Sequence, residues 1–322
     1  MQVRFWGTRG SLPVAPHAST ISDKVADALF QAQGQKFADK KAALQYARDE
    51  LPFAVGQGYG GATSCVEIDV GKGAFVICDM GSGLRELGLD TLRRLSEGGR
   101  DKEWHFFLSH LHWDHIMGFP FFVPAFVEGA KVIIHAGHTD AETALRRQQE
   151  EISFPVPFDW LKADIEFRTL TPGEEYRIGE LTVGLTRQEH SHDSYGYRFT
   201  DSKGRSAVYS TDAEYKIDKM GEEDDMAEFM SGADLVIADT MYSLADSVTM
   251  KEDWGHSSNI VAVDLCRKAG AKRLALFHHE PTYSDADIAR MHAETMRYEE
   301  LLREDSAPIE VLCSYDGYCL EL

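Results

Sequence analysis

Long apolar runs are missing from this 322-residue chain. None approaches the roughly 18 residues that a membrane-spanning helix needs, and the longest candidate, residues 116–127, is broken by Pro120 and Pro124. The N-terminus reads MQVRFWG and lacks a basic segment followed by an apolar one, so no secretory signal is expected and the cytoplasm is the expected address. Cysteine is sparse and odd in number: Cys65, Cys78, Cys266, Cys313 and Cys319 contain no Cys-x-x-Cys pair. Cys78 and Cys266 lie in apolar segments, as buried, reduced thiols do. Positive charge is also scarce, with 33 Lys+Arg against 53 Asp+Glu and a net charge of −20. Such a surface repels polyanions at long range, so nucleic acid is not an expected partner, nor is a membrane. No internal repeat, low-complexity tract or linker divides the chain.

Short β-type runs are plentiful. They read VRFW (3–6), CVEIDV (65–70), AFVICDM (74–80), WHFFLS (104–109) and KVIIHA (131–136). A later set comprises LTVGLTRQ (181–188), YGYRF (195–199), SAVYST (206–211), DLVIAD (234–239), RLALFH (273–278) and IEVLC (309–313). Many end at Asp, His or Gly, as strands do when their C-terminal ends carry chemistry. Helices are predicted over 259–270 and 284–304, the second with Ile288, Met291 and Met296 as its apolar face. Strand-rich halves with interposed helices imply sheets packed face to face with helices outside, an α+β arrangement. Residues 15–57 break the strand rhythm. Ile21, Val25 and Leu29 fit one helix face and Leu44, Ala47 and Leu51 another, so this stretch is read as a helical insertion into a single domain covering 1–322.

The sharpest feature is Ser109-His110-Leu111-His112-Trp113-Asp114-His115. Three imidazoles and a carboxylate this close are costly to bury unless something binds them. In an extended segment His110 and His112 share a side, because side chains alternate with period two. Asp114 and His115 follow on the next turn and can address a second ion. Imidazole with carboxylate suits zinc, manganese or iron. Elsewhere the residues leave choices open. Asp79 serves equally as a turn or helix-cap residue, and Asp212 as a turn carboxylate. His190 competes with His192, His278 with His279, and His256 also fits a helix first turn.

The pattern His-x-His-x-Asp-His resembles the metallo-β-lactamase superfamily, and other motifs follow in the same order. ICDMGSGLRELG (77–88) looks like its Asp-x-Gly strand end, with Asp79 as the carboxylate that orients the ligand loop. VYSTDAEY supplies Asp212 as the shared aspartate. The ribonuclease Z-like and phosphodiesterase branch is closer still. WGTRGSLP is similar to its opening loop, the Gly-Tyr-Arg at 196–198 selects His190 over His192, and Leu274-x-Leu276-x-His278 selects His278 over His279. Residues 255–279 and SYDGYCLEL (314–322) resemble its His-Ser-Thr segment and its closing strand.

The resemblance implies a four-layer αββα sandwich with two mixed β-sheets. It also implies two divalent transition metals, zinc first with manganese or iron as alternatives. His110, His112 and His190 would hold one ion, and Asp114, His115 and His278 the other, with Asp212 between them. Asp114 would also help orient the attacking water. His256 would act as proton donor with the carboxylate Asp239. Two departures stand out. The branch's His-Glu-Ala-Thr strand end is Ala238-Asp239-Thr240-Met241 here, and residues 146–167 are not the basic, Gly/Pro-rich arm of the tRNA-processing members. The expected function is therefore a dinuclear hydrolase of small phosphodiesters such as cyclic nucleotides. The alternatives are a tRNA 3′-processing endoribonuclease, an acyl hydrolase (lactonase or thioesterase) and a metal-free binding module. A homodimer is compatible with the resemblance.

Overall fold

Period-two alternation decides which side chains face which layer. In β4 (Arg100–Leu108), Trp104, Phe106 and Leu108 enter one apolar cluster while Phe107 enters another. In β12 (Arg273–Phe277), Leu274 and Leu276 turn outward while Ala275 and Phe277 turn inward. Both strands are covered on both faces, which explains why they read as nearly continuous apolar runs. The computed structural model describes residues 1–215, 224–244, 255–304 and 306–322.

The first sheet contains β1 (Gln2–Gly7), β2 (Cys65–Asp69), β3 (Gly73–Cys78), β4, β5 (Lys131–Ala136), β6 (Asp164–Thr169) and β14 (Cys319–Glu321). Their order is β14-β1-β2-β3-β4-β5-β6, antiparallel up to β3 and parallel from β3 to β6. The second sheet contains β7 (Glu175–Ile178), β8 (Leu181–Gln188), β9 (Ser194–Thr200), β10 (Ser206–Ser210), β11 (Leu235–Asp239), β12 and β13 (Glu310–Cys313). It runs β13-β12-β11-β10-β9-β8-β7, parallel from β10 to β13 and antiparallel from β7 to β10. The sheets meet across a core that includes Val3, Phe5, Phe107, Tyr197, Phe199, Tyr209 and Phe277.

Helices cover the outer faces. On the first sheet, α4 (Leu84–Glu97) buries Leu84 and Leu87. Beside it the FPFFVPAF stretch forms two 3₁₀ turns that bury Phe119, Phe122 and Ala125. On the second sheet lies α8 (Asn259–Ala269), capped by Ser258 and ended by Gly270 in the left-handed conformation. The α9 helix (Asp285–Leu302) follows, starting at a capping box formed by Ser284 and Asp287. Two mixed seven-stranded sheets between helices are the αββα sandwich that the resemblance implies. No helix among the described residues is long and apolar enough to cross a membrane. Cys65, Cys78 and Cys266 are buried, Cys319 is exposed, and all five thiols are free.

Several expectations need correction. The edge strands β6 and β7 were not legible, because their charged, partly exposed residues break the apolar alternation. In α9, Ile288 and Met291 are buried, but Met296 is exposed and its neighbour Thr295 packs inward. Helices do form within 15–57, as α1 (Ala18–Gln31), α2 (Lys40–Asp49) and α3 (Phe53–Gly56). Yet Ile21, Val25, Leu29 and Leu44 remain exposed, and only Leu51 of the six expected face residues is buried. The helical period is present; the layer it would face is not.

Candidate metal centre

The C-terminal ends of β3, β4, β10, β11 and β12, with the loop after β8, deliver the polar side chains to one edge of the sandwich. Asp79 directly follows β3, the 109–115 segment follows β4, His190 follows β8, and Asp212 follows β10. Asp239 closes β11 and His278 follows β12. Five non-glycine residues among those described have positive φ, and four of them cluster here: Ser11 (57°), Asp79 (59°), Asp212 (48°) and His278 (63°). Left-handed backbone disfavours a residue with a Cβ, and such strain gathers where geometry serves function.

Seven side chains converge in two sets that share Asp212, and a third group, Asp239, His256 and His278, shares His278 with the second. In the first, His110, His112, His190 and Asp212 each offer an atom within 4.8 Å of the others. Nε2 of His110 and Nε2 of His190 both lie 3.6 Å from Asp212 Oδ2, and His190 Nε2 is 3.3 Å from His112 Nδ1. The second set is tighter. Nε2 of His115 lies 3.1 Å from Asp114 Oδ2, 3.1 Å from Asp212 Oδ1 and 3.3 Å from His278 Nε2. His278 Nε2 completes the figure at 3.2 Å from both carboxylates. Four ligands about 2.0–2.1 Å from a tetrahedral ion stand about 3.3 Å from one another, so this spacing fits a divalent metal. The buried Nε2 of His110 has no hydrogen-bond partner, as a nitrogen reserved for an ion would not. Asp212 presents Oδ1 to one set and Oδ2 to the other.

Surrounding groups fix the rings. Asp79 Oδ2 lies 2.7 Å from Nδ1 of His115, which turns Nε2 toward the second set. Asp79 also accepts from the backbone N–H and hydroxyl of Ser109 and, across the sheet interface, from the Tyr209 hydroxyl. The Gly255 carbonyl lies 2.7 Å from His190 Nδ1, which directs Nε2 inward. A Cβ at Gly10 would come within 2.6 Å of the His278 ring, so only glycine lets the loop after β1 pass over that ligand. From the same loop the Ser11 N–H donates to Asp114 Oδ2 at 2.8 Å.

Burial and the neighbouring His115 hold His110 well below the usual imidazole pKa, and burial also lowers His112 and His190. Neutral imidazoles are the form that binds metal. At His115 burial acts the same way, but Asp212, Asp114 and Asp79 outweigh it and raise its pKa well above normal. Asp212 is held ionised by His115, His278 and His110 against the burial penalty.

Beside the ligands, His256 Nδ1 lies 2.7 Å from Asp239 Oδ2, and its ring stacks 5.1 Å from that of His278. Burial opposes its charge, yet Asp239 and then Asp212 and Asp114 raise its pKa to about 9. The two competing histidines fall outside both sets. His192 is exposed, with its ring 6.3 Å from His112, and His279 is buried with Nε2 donating to the Ser314 carbonyl. Sequence reasoning missed the Tyr209–Asp79 and Gly255–His190 contacts, which join segments far apart in the chain and carry no local signal.

The family model described as "Beta-lactamase superfamily domain" matches residues 76–279. Ribonuclease Z from Limosilactobacillus fermentum is 24% identical over 225 residues, which are 55% of this chain and 70% of the relative. Among solved structures, the metallo-beta-lactamase fold protein YhfI from Bacillus subtilis aligns at a TM-score of 0.63 with 18% identity. That match covers 100% of this chain and 98% of YhfI. A diphosphatase of the PhnP family aligns at 0.58 with 20% identity, covering 100% of this chain and 97% of that one. Motif order, sheet architecture and the matched span agree: this chain belongs to the metallo-β-lactamase superfamily of hydrolases, with ribonuclease Z proteins among its relatives.

Proposed function

We propose that the protein is a dinuclear metal-dependent phosphodiesterase for small phosphodiesters, with cyclic nucleotides first among them and zinc the first choice of metal. The observation that carries this reading is the division of Asp212 between two ligand sets. Bound divalent ions would supply positive charge against the phosphoryl oxygens and lower the pKa of water. His110, His112 and His190 would hold one ion, Asp114, His115 and His278 the other, and Asp212 would join them. Asp114 would also accept from and orient the attacking water, while the Ser11 N–H fixes its carboxylate. Asp79 keeps His115 in the tautomer with a free Nε2. His256 would donate a proton to the departing oxygen, and Asp239 would hold its ring in the donating orientation. A solved structure of the same fold is that of a diphosphatase, an enzyme that likewise acts at phosphorus.

The ribonuclease Z relative favours a second reading, endonucleolytic cleavage of tRNA precursors. Against it stand the net charge of −20 and the segment between β5 and β6. There Arg146 is already paired with Glu142 at 2.8 Å and Asp159 at 2.7 Å, leaving that guanidinium little charge for a phosphate backbone. A turnover screen on metal-loaded protein with bis(p-nitrophenyl) phosphate, cyclic nucleotides, tRNA precursors and lactones tests the assignment. Fast cleavage of the first two supports it; activity confined to tRNA precursors or lactones rejects it.

A further inference from the structure

Trp113 occupies the first position of α5 (Trp113–Ile116), between two candidate metal ligands, and is 76% exposed. A single exposed apolar side chain needs no explanation, but this one has a counterpart. Leu12, on the loop after β1, is 59% exposed. Its neighbour Ser11 bonds Asp114 at 2.8 Å, and its own N–H donates to the Gly10 carbonyl at 2.6 Å. Two separate segments thus each place a large apolar side chain one residue from a group in contact around Asp114. The ring of His256 lies 5.2 Å from that of His190 and 5.1 Å from that of His278.

Asp114 is buried and bonded to the Ser11 N–H and His278, which anchors the backbone beside Trp113 and Leu12 next to the candidate ligands. An indole face stacks on planar rings whatever their sequence or charge. That suits a chain whose acidity gives it little long-range pull on an anion. The reading above gives the departing oxygen to His256, so an aromatic contact made elsewhere would fall to the ester group that stays on phosphorus.

We propose that Trp113 and Leu12 form an apolar clamp for a planar aromatic group, a nucleobase or aryl ring, on the retained side of the phosphodiester. The clamp rests on the phosphodiesterase reading above and makes Trp113 a specificity-determining residue. The test compares bis(p-nitrophenyl) phosphate with methyl p-nitrophenyl phosphate on metal-loaded wild type, Trp113→Ala and Trp113→Phe. Both substrates expel p-nitrophenolate and differ only in the retained group. In Trp113→Ala the preference for the aryl over the methyl ester, as kcat/KM, should fall about tenfold, with the loss on KM. Trp113→Phe should restore most of that preference, and Leu12→Ala should lower it in the same direction. Metal content equal to wild type excludes misfolding as the cause. If wild type cleaves both esters and Trp113→Ala keeps the wild-type preference, the clamp alone is overturned. If wild type cleaves neither ester, the phosphodiesterase reading fails and the clamp with it. As a readout besides turnover, AMP should bind wild type more tightly than inorganic phosphate does, measured by intrinsic fluorescence. That difference should shrink in Trp113→Ala, and equal affinities in wild type would overturn the clamp.

Discussion

His256 and Asp239 form an imidazole–carboxylate pair, Nδ1 to Oδ2 at 2.7 Å, outside the two sets that share Asp212 and joined to the second only through His278. Each side chain comes from a different segment, one the end of β11 and the other the loop before α8. With Nδ1 committed to Asp239, Nε2 is the nitrogen that would serve a substrate oxygen. His256→Ala should retain both metals and lose about 10²–10⁴-fold in rate on esters with alkoxide leaving groups. Esters that expel p-nitrophenolate, which departs without a proton, should lose far less. Equal losses on the two classes, or loss of metal, would assign His256 another role.

The shared carboxylate leads to a stoichiometric expectation. Purified protein grown with supplemented metal should carry two transition-metal ions per chain by elemental analysis. Asp212→Ala removes the group that faces both sets and should lose at least one ion with nearly all activity. Wild-type protein holding only trace metal would refute the dinuclear assignment.

Asp79 belongs to neither ligand set, yet its carboxylate makes four hydrogen bonds with three residues, Ser109, His115 and Tyr209. Asn in its place has a single carbonyl oxygen and turns an NH₂ toward donors. Asp79→Asn should weaken metal affinity about 10–100-fold in a chelator competition. Unchanged affinity would mean that the His115 ring is oriented by other contacts.

Acid should destabilise the fold through a site remote from the metals. His135 on β5 is buried, stacks 4.5 Å from Phe107 and meets His105 at 2.9 Å. Burial first, then His105 and Arg168, push its pKa down from 6.5 to about 3. Between those values the unfolded chain binds the proton and the folded one does not. This contribution to stability is therefore complete above about pH 6.5 and declines as pH falls toward 3, by up to about 1.4 kcal/mol per pH unit. His135→Phe should show a shallower decline in denaturant titrations between pH 6 and 4. Parallel curves for the two proteins would place the acid sensitivity elsewhere.

Charge bears on substrate size. A polyanion approaching a chain of net charge −20 meets repulsion that a small phosphodiester largely avoids. Cyclic nucleotides should be cleaved much faster than precursor tRNA, with little dependence on salt. Efficient, salt-sensitive cleavage of precursor tRNA would favour the nuclease.

His110, His112, Asp114 and His115 were legible from their residue types, clustered within six positions after an apolar strand, whereas Asp212 needed the family motif. His190 and His278 needed the family spacing, since His192 and His279 are chemically equivalent candidates. Only the fold shows that His279 turns back to the Ser314 carbonyl while His278 turns to Asp114. The apolar α1 residues misled for the opposite reason. Periodicity reports that a helix has an apolar stripe, not that a layer lies opposite it, and Val25 and Leu29 stay in solvent. Trp113 carries no local signal in the sequence that it stays in solvent at the first position of α5.

Each ligand set draws on both sheets: the 110–115 segment belongs to the first, whereas His190, Asp212 and His278 belong to the second. A nascent chain that has emerged through β6 displays three imidazoles of the His-rich loop without the residues that close either set. On the dinuclear reading, capture of an ion would wait for translation to pass Asp212 for the first set and His278 for the second, and for the halves to dock. Loading would then be a late event in biogenesis, and a bound metal would certify that the two halves have met in register.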